Sequence, residues 1–167
     1  MEPVLSTARC ELRPVTSGDA AELHALWTAP GVRRFLWDDA IIPLEQTADA
    51  IRTSEALFRD HRFGLWAARL QREAAIAGFA GIWPFREPPE FELLYGVAEA
   101  YWGRGLAVEA SRAVLEYCGD ALSMTTMRAS TDAANIASVR VLDRLGFTAV
   151  RRAVADGLDT VFYERVG

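Results

Sequence analysis

From Phe91 to Thr131 the sequence reads strand, glycine turn, helix, strand, and no other feature constrains the fold as tightly. Phe91 to Val97 has strand character. Gly103-Arg104-Gly105 separates it from a helical stretch that runs to about Cys118, where Leu106, Ala110, Ala113, Val114 and Tyr117 recur at helical spacing. A strand follows around Thr126 to Thr131. Two strands joined through a helix lie parallel, because the crossover returns the chain to the same end of the sheet.

The flanking segments add antiparallel strands. Phe63 to Leu70 and Ala75 to Trp83 form a hairpin around Gln71-Arg72-Glu73. Thr148 to Ala155 and Leu158 to Val166 form another around Asp156-Gly157, a strong turn pair. A strand from Arg9 to Pro14 opens the chain. Thr16-Ser17-Gly18-Asp19 caps a helix carrying Ala20, Leu23, Leu26 and Trp27 on one face, ended by Pro30-Gly31. A second helix follows Pro43 and reaches His61, with Ala48, Ile51, Glu55 and Phe58 on one face. Val32 to Ile42 reads as a loop whose Phe35, Leu36 and Trp37, beside Asp38-Asp39, either line a pocket or cover the core. Pro84, Pro88 and Pro89 interrupt regular structure before Phe91. Asn135 to Leu145 is a helix closed by Gly146. The expected fold is one α/β (α+β) domain over 1–167, a mixed sheet of about seven strands flanked by about four helices.

The 167 residues suit one core. With 51% apolar and 25% charged residues the composition is that of a globular protein, without a run approaching the ~20 apolar residues of a membrane span. Met1-Glu2-Pro3-Val4 shows no export signal. Cys10 and Cys118 form no metal pattern and no disulfide framework, so the expected location is the cytoplasm. A net charge of −5 argues against nonspecific nucleic-acid binding and suits a cationic acceptor. His24 and His61 have no sequence partners and are assigned surface or capping roles, and no metal site is expected.

The chemistry-bearing segment is Tyr101-Trp102-Gly103-Arg104-Gly105-Leu106-Ala107. Glycines let the backbone turn tightly, and a helix start offers unpaired amides and a positive dipole end. Together they suit a phosphate or pyrophosphate, with Arg104 adding charge at the rim. A nucleoside-triphosphate loop would need Gly-Lys-Ser/Thr, which is absent. A dinucleotide fingerprint would need a third glycine where Val108 stands.

Glu92-Leu93-Leu94-Tyr95-Gly96-Val97 with Tyr101 to Ala110 resembles the central motif of the GNAT N-acetyltransferases, in particular the Rim-type ribosomal-protein N-terminal acetyltransferases. Asn135-Ile136-Ala137-Ser138 through Leu145-Gly146-Phe147 agrees, as does Leu12-Arg13-Pro14 followed by Gly18-Asp19-Ala20. The resemblance implies acetyl-coenzyme A as donor, with its pyrophosphate on the amides from Gly103 to Ala107. Trp102 stands where the family often has Gln or Arg. It also implies a pantetheine arm lying between splayed strands and pairing with backbone near Tyr95 and Val97, with Asn135 at the pocket edge.

Transfer to an amine requires loss of a proton from the amine, stabilisation of the carbonyl oxygen and stabilisation of the leaving thiolate. Glu92, in an apolar strand where this branch often has glutamate, is the candidate base. The tyrosine that many family members use as acid is Leu142 here, so the resemblance points to Ser138, with Tyr95 as a second hydroxyl. The acceptor is an amine: a peptide N-terminus, or a small molecule such as an aminoglycoside, polyamine or amino acid. Asp38-Asp39 and Glu87 with Glu90 either attract it or are solvated charges. The alternative from another class is a coenzyme A-binding sensor without turnover. A sheet edge or the terminal hairpin offers a contact for a homodimer.

Overall fold

The structure, a computed structural model, describes residues 2–167, so Met1 of the stretch read for an export signal lies outside the described residues. Eight strands form one sheet in the order β1-β2-β3-β4-β5-β6-β8-β7. They are β1 (Leu5–Ser6), β2 (Cys10–Pro14), β3 (Leu65–Leu70), β4 (Ile76–Phe85), β5 (Glu90–Val97), β6 (Thr126–Asp132), β7 (Thr148–Ala155) and β8 (Leu158–Val166). The helices are α1 (Ala20–Thr28), α2 (Pro30–Leu36), α3 (Leu44–His61), α4 (Leu106–Leu122) and α5 (Ile136–Arg144). Every strand pair is antiparallel except β5 with β6, the crossover read from the sequence.

Two apolar layers clamp the sheet. On one face Trp66, Ala80, Ile82 and Leu93 pack beneath Leu106, Val114 and Leu115 of α4 and Leu142 of α5. On the other, Leu65, Ala67 and Phe79 meet Leu23, Leu26 and Trp27 of α1 and Ile51 of α3. Alternation of side chains along β3 and β4 supplies both layers at once, as expected of strands covered on both faces.

Three sequence expectations are corrected. Val32 to Ile42 is not all loop: its first residues belong to α2, because Pro30 sits in the first turn after an extended Ala29, where a missing N–H costs nothing. Pro30-Gly31 therefore ends α1 and begins α2. The buried face of α3 is Thr47, Ala50, Ile51, Ser54, Leu57 and Phe58, while Ala48 and Glu55 are only partly covered. The stripe was misphased because two of its members are polar. Ser54 Oγ accepts the Leu65 amide at 2.8 Å, and Thr47 Oγ1 lies 2.9 Å from His24 Nδ1. Third, β4 continues through Pro84 to Phe85, opposite Glu90 and Phe91 of β5.

The caps act as read. Thr16 and Asp19 form a capping box. Asn135 Oδ1 accepts the Ser138 amide at 3.2 Å at the start of α5. Asp156 and Gly157 both take positive φ (50° and 78°), the conformation a two-residue hairpin requires. Cys10 and Cys118 are free, buried thiols, and burial pushes the Cys118 thiol up to about 12.

Candidate active site

β5 and β6 pair at a single position, Glu92 opposite Arg128. Beyond it a cleft of about 930 Å³ opens, lined on one side by Tyr95, Gly96 and Val97 and on the other by Ser130, Thr131 and Asp132. Ala98 donates to Ala77 of β4 at 2.8 Å, and peptide groups alternate along a strand. The peptide groups of Tyr95 and Val97 therefore point toward the open side. The Val97 carbonyl is taken, since Trp102 Nε1 donates to it at 2.8 Å, which leaves the Val97 amide and both Tyr95 groups for a ligand.

The cleft ends at the glycine turn. Gly103 and Gly105 have φ of 75° and 76°, and Gly105 caps α4 in the left-handed conformation. The first backbone bond into the helix is Glu109 to Gly105 at 3.1 Å. The amides from Gly103 to Val108 donate to no protein acceptor among the described residues. Successive free amides at a helix start form an anion nest. Gly103, Gly105, Leu106 and Ala107 line the cleft, and Trp102, 54% exposed, stands at its edge. Arg104 does not line it; its guanidinium lies 5.5 Å from the Tyr101 ring centroid on the exposed side.

Tyr95 and Ser138, 43 residues apart, meet with their hydroxyl oxygens at 2.6 Å. Ser138 is thus bonded to tyrosine rather than to its own helix backbone. Burial pushes the Tyr95 phenol up to about 12, against the lowering effect of the Ser138 bond. Both side chains line the cleft, as does Asn135.

Glu92 is 1% exposed and does not itself line the cleft. Arg86 pairs with one carboxylate oxygen, and Ser130 Oγ donates to the other at 2.6 Å. Burial raises its proton affinity above the usual carboxylate range, and Ser130 and Arg86 partly oppose this. Ser130 does line the cleft, so its hydroxyl links the buried Glu92 carboxylate to the cleft wall.

Four groups escaped the sequence reading. Ser130 and Asp132 share a face of β6 with Arg128 by period-two alternation, and acids or hydroxyls at the carboxyl end of a parallel strand were the available signal. Arg86 belongs to the proline-flanked turn, where the sequence offers no periodicity. Trp27 was assigned to the core alone but also lines the cleft. Phe35, Leu36 and Trp37 line it too, one of the two options the sequence left open. Asp39 pairs with Arg33 and Glu90 with Arg86, whereas Asp38 faces the cleft. His61 stacks on Phe63 at 5.3 Å. No group of three or more potential metal ligands occurs among the described residues, and no helix there is long and apolar enough to cross a membrane.

The family model described as "Acetyltransferase (GNAT) domain" matches residues 9–148. The N-acetyltransferase YoaA of Bacillus subtilis is 28% identical over 148 residues, spanning 88% of this chain and 84% of the relative. YkkB of the same organism is 30% identical over 145 residues, spanning 85% and 83%. Among solved structures, an acetyltransferase from Agrobacterium tumefaciens superposes with a TM-score of 0.87 at 24% identity, covering 100% of this chain and 96% of that one. RimL, a ribosomal L7/L12 alpha-N-protein acetyltransferase in complex with coenzyme A, superposes with a TM-score of 0.83 at 17% identity, covering 98% of each. A parallel crossover with a cradle of free amides at its helix start, and a family match over most of its length, make this chain a member of the GNAT acetyltransferase family.

Proposed function

We propose that the protein moves an acetyl group from acetyl-coenzyme A directly to a primary amine. The observation that carries this reading is the run of free amides from Gly103 to Val108 opening onto the gap where β5 and β6 part. A diphosphate fits the amides, and an extended amide-bearing arm fits the unpaired Tyr95 and Val97 groups as an added strand. When bound, the donor supplies an activated thioester; the chain's own groups do the rest.

Ser130 Oγ takes the proton of the incoming ammonium while passing its own to Glu92, whose raised affinity suits it to hold that proton. The Tyr95 and Ser138 hydroxyls hydrogen-bond the sulfur as it gains charge. With Tyr95 pushed up to about 12 and a thiol near ~8.5, full transfer from the phenol is uphill, so the pair stabilises charge without surrendering its proton. An amide of β5 facing the gap stabilises the carbonyl oxygen.

The test is thiol release from acetyl-coenzyme A across peptide termini, polyamines, amino acids and aminoglycosides. Glu92→Gln cuts kcat by about 100-fold or more while acetyl-coenzyme A affinity holds; equal loss of both dismisses Glu92 as proton acceptor. Binding of the donor with no release on any amine sinks the transfer reading.

A further inference from the structure

Arg104, expected at the rim of the amide cradle, turns its guanidinium to the Tyr101 ring on the exposed side. A different cation stands beside the cradle. Arg9, in the turn between β1 and β2, brings a guanidinium nitrogen to 3.7 Å from the point a Cβ on Gly105 would occupy. It is the only foreign atom within 4 Å of that point, and a Cβ on Gly103 would meet none. Arg140 and Arg144 line the cleft from α5 but do not come that close to either glycine. Covalent geometry then places the Arg9 guanidinium within about 6.5 Å of the Gly105 amide nitrogen.

Arg9 is held there by Glu109. Its Nε donates to Glu109 Oε2 at 2.7 Å, and its Nη2 lies 2.6 Å from the same oxygen. Glu109 Oε1 accepts the Arg9 amide at 2.9 Å and the Thr7 hydroxyl at 2.6 Å. Glu109 is the acid in the first turn of α4. A carboxylate there suits the empty helix start but repels an anion seated on the same amides. Against the raising effect of burial, the Thr7 and Arg9 bonds hold the Glu109 carboxyl below the usual carboxylate range. It is therefore charged at neutral pH, and Arg9 is its ionic partner. A phosphate oxygen bonded to the Gly105 amide lies no more than about 10 Å from the guanidinium, within the Debye length at moderate salt. Arg9 does not line the cleft, so it acts on the anion through the field and not by contact.

We infer that Arg9 is a further donor-binding residue: it offsets the Glu109 charge and keeps the start of α4 electropositive for a diphosphate. Glu109 and Thr7 are the residues that position it. The inference rests on the diphosphate reading of the cradle and adds a cation to it.

The test is isothermal calorimetry on the full chain with coenzyme A and with 3′-dephospho-coenzyme A. The wild type, Arg9→Met, and Arg9→Met combined with Glu109→Gln are compared at about 0.1 M and about 1 M salt. At the lower salt Arg9→Met weakens both ligands about three- to tenfold, because Glu109 is left uncompensated beside the anion. At the higher salt, where the Debye length is ~3 Å, the gap closes. The double variant has lost both charges and returns to within about twofold of the wild type. A weakening that survives high salt, or that the second substitution fails to repair, marks a defect of shape and overturns the inference, as does an unchanged affinity. Loss confined to coenzyme A assigns Arg9 to the 3′-phosphate and overturns it as well. These readings need no amine. A chain that shows the expected pattern but releases no thiol sinks the transfer reading and keeps Arg9. A wild type that binds neither ligand sinks the cradle and Arg9 together.

Discussion

Replacing Arg86 by methionine tests how the buried carboxylate is held. Glu92 is 1% exposed and Arg86 is its cationic partner, with a side chain 30% exposed. Removing one member of a buried pair costs about 3–5 kcal/mol, because the other charge stays buried without compensation. The partly exposed Arg86 places this case at the low end, about 3 kcal/mol. For a chain of this size that lowers Tm by roughly 6–12 °C. The pH dependence carries the sharper test. The Glu92 carboxyl has a higher proton affinity folded than unfolded. Its bound proton therefore stabilises the fold at low pH, and that contribution is lost as pH rises through the raised value. Arg86 opposes the rise, so its removal moves the value further up. The Tm gap between wild type and Arg86→Met is widest at high pH and narrows as pH falls through the raised Glu92 values. The acid limb of the kcat/KM profile moves to higher pH as well. Thermal melts and pH–rate profiles by thiol release read both. A Tm gap equal at pH 5 and pH 8, or wider at pH 5, would refute the reasoning. Arg86→Met combined with Glu92→Gln recovers part of the lost Tm.

Gly105→Ala is sterically free, its nearest foreign atom being an Arg9 nitrogen at 3.7 Å, but it forces a Cβ onto a backbone at φ 76°. About 1–2 kcal/mol of strain follows, with acetyl-coenzyme A affinity falling by isothermal calorimetry as the amide nest relaxes; unchanged Tm and affinity would remove the nest from the account. Tyr95→Phe and Ser138→Ala each lower kcat, and the double variant loses less than the two single losses combined, because the hydroxyls at 2.6 Å act as one unit. Additive losses would show that they act apart. Since Tyr95 is pushed up to about 12, the wild-type kcat profile shows no descending limb from it up to about pH 10.

Local order determined most of the framework. Proline, glycine and capping residues mark where elements start and stop, and periods of two and 3.6 distinguish strand from helix. Hence the parallel crossover, the glycine cradle, both hairpins and the Asn135 cap were legible, and the residue motifs set in that order pointed to the family. Pro30 has two local meanings, helix end and helix start, so α2 stayed hidden. Thr47 and Ser54 hid a third of the buried α3 face because their burial depends on distant hydrogen-bond partners.

Tertiary structure decided which chemical groups meet. That Tyr95 touches Ser138, that Ser130 and Arg86 enclose Glu92, and that Trp27 and Trp37 share a wall all depend on where separate elements cross. A strand's sequence fixes which face a side chain takes but not what the neighbouring strand or turn presents there. The parting of β5 from β6 after one paired position, from which the cleft arises, is a property of two chain segments together and is encoded in neither alone.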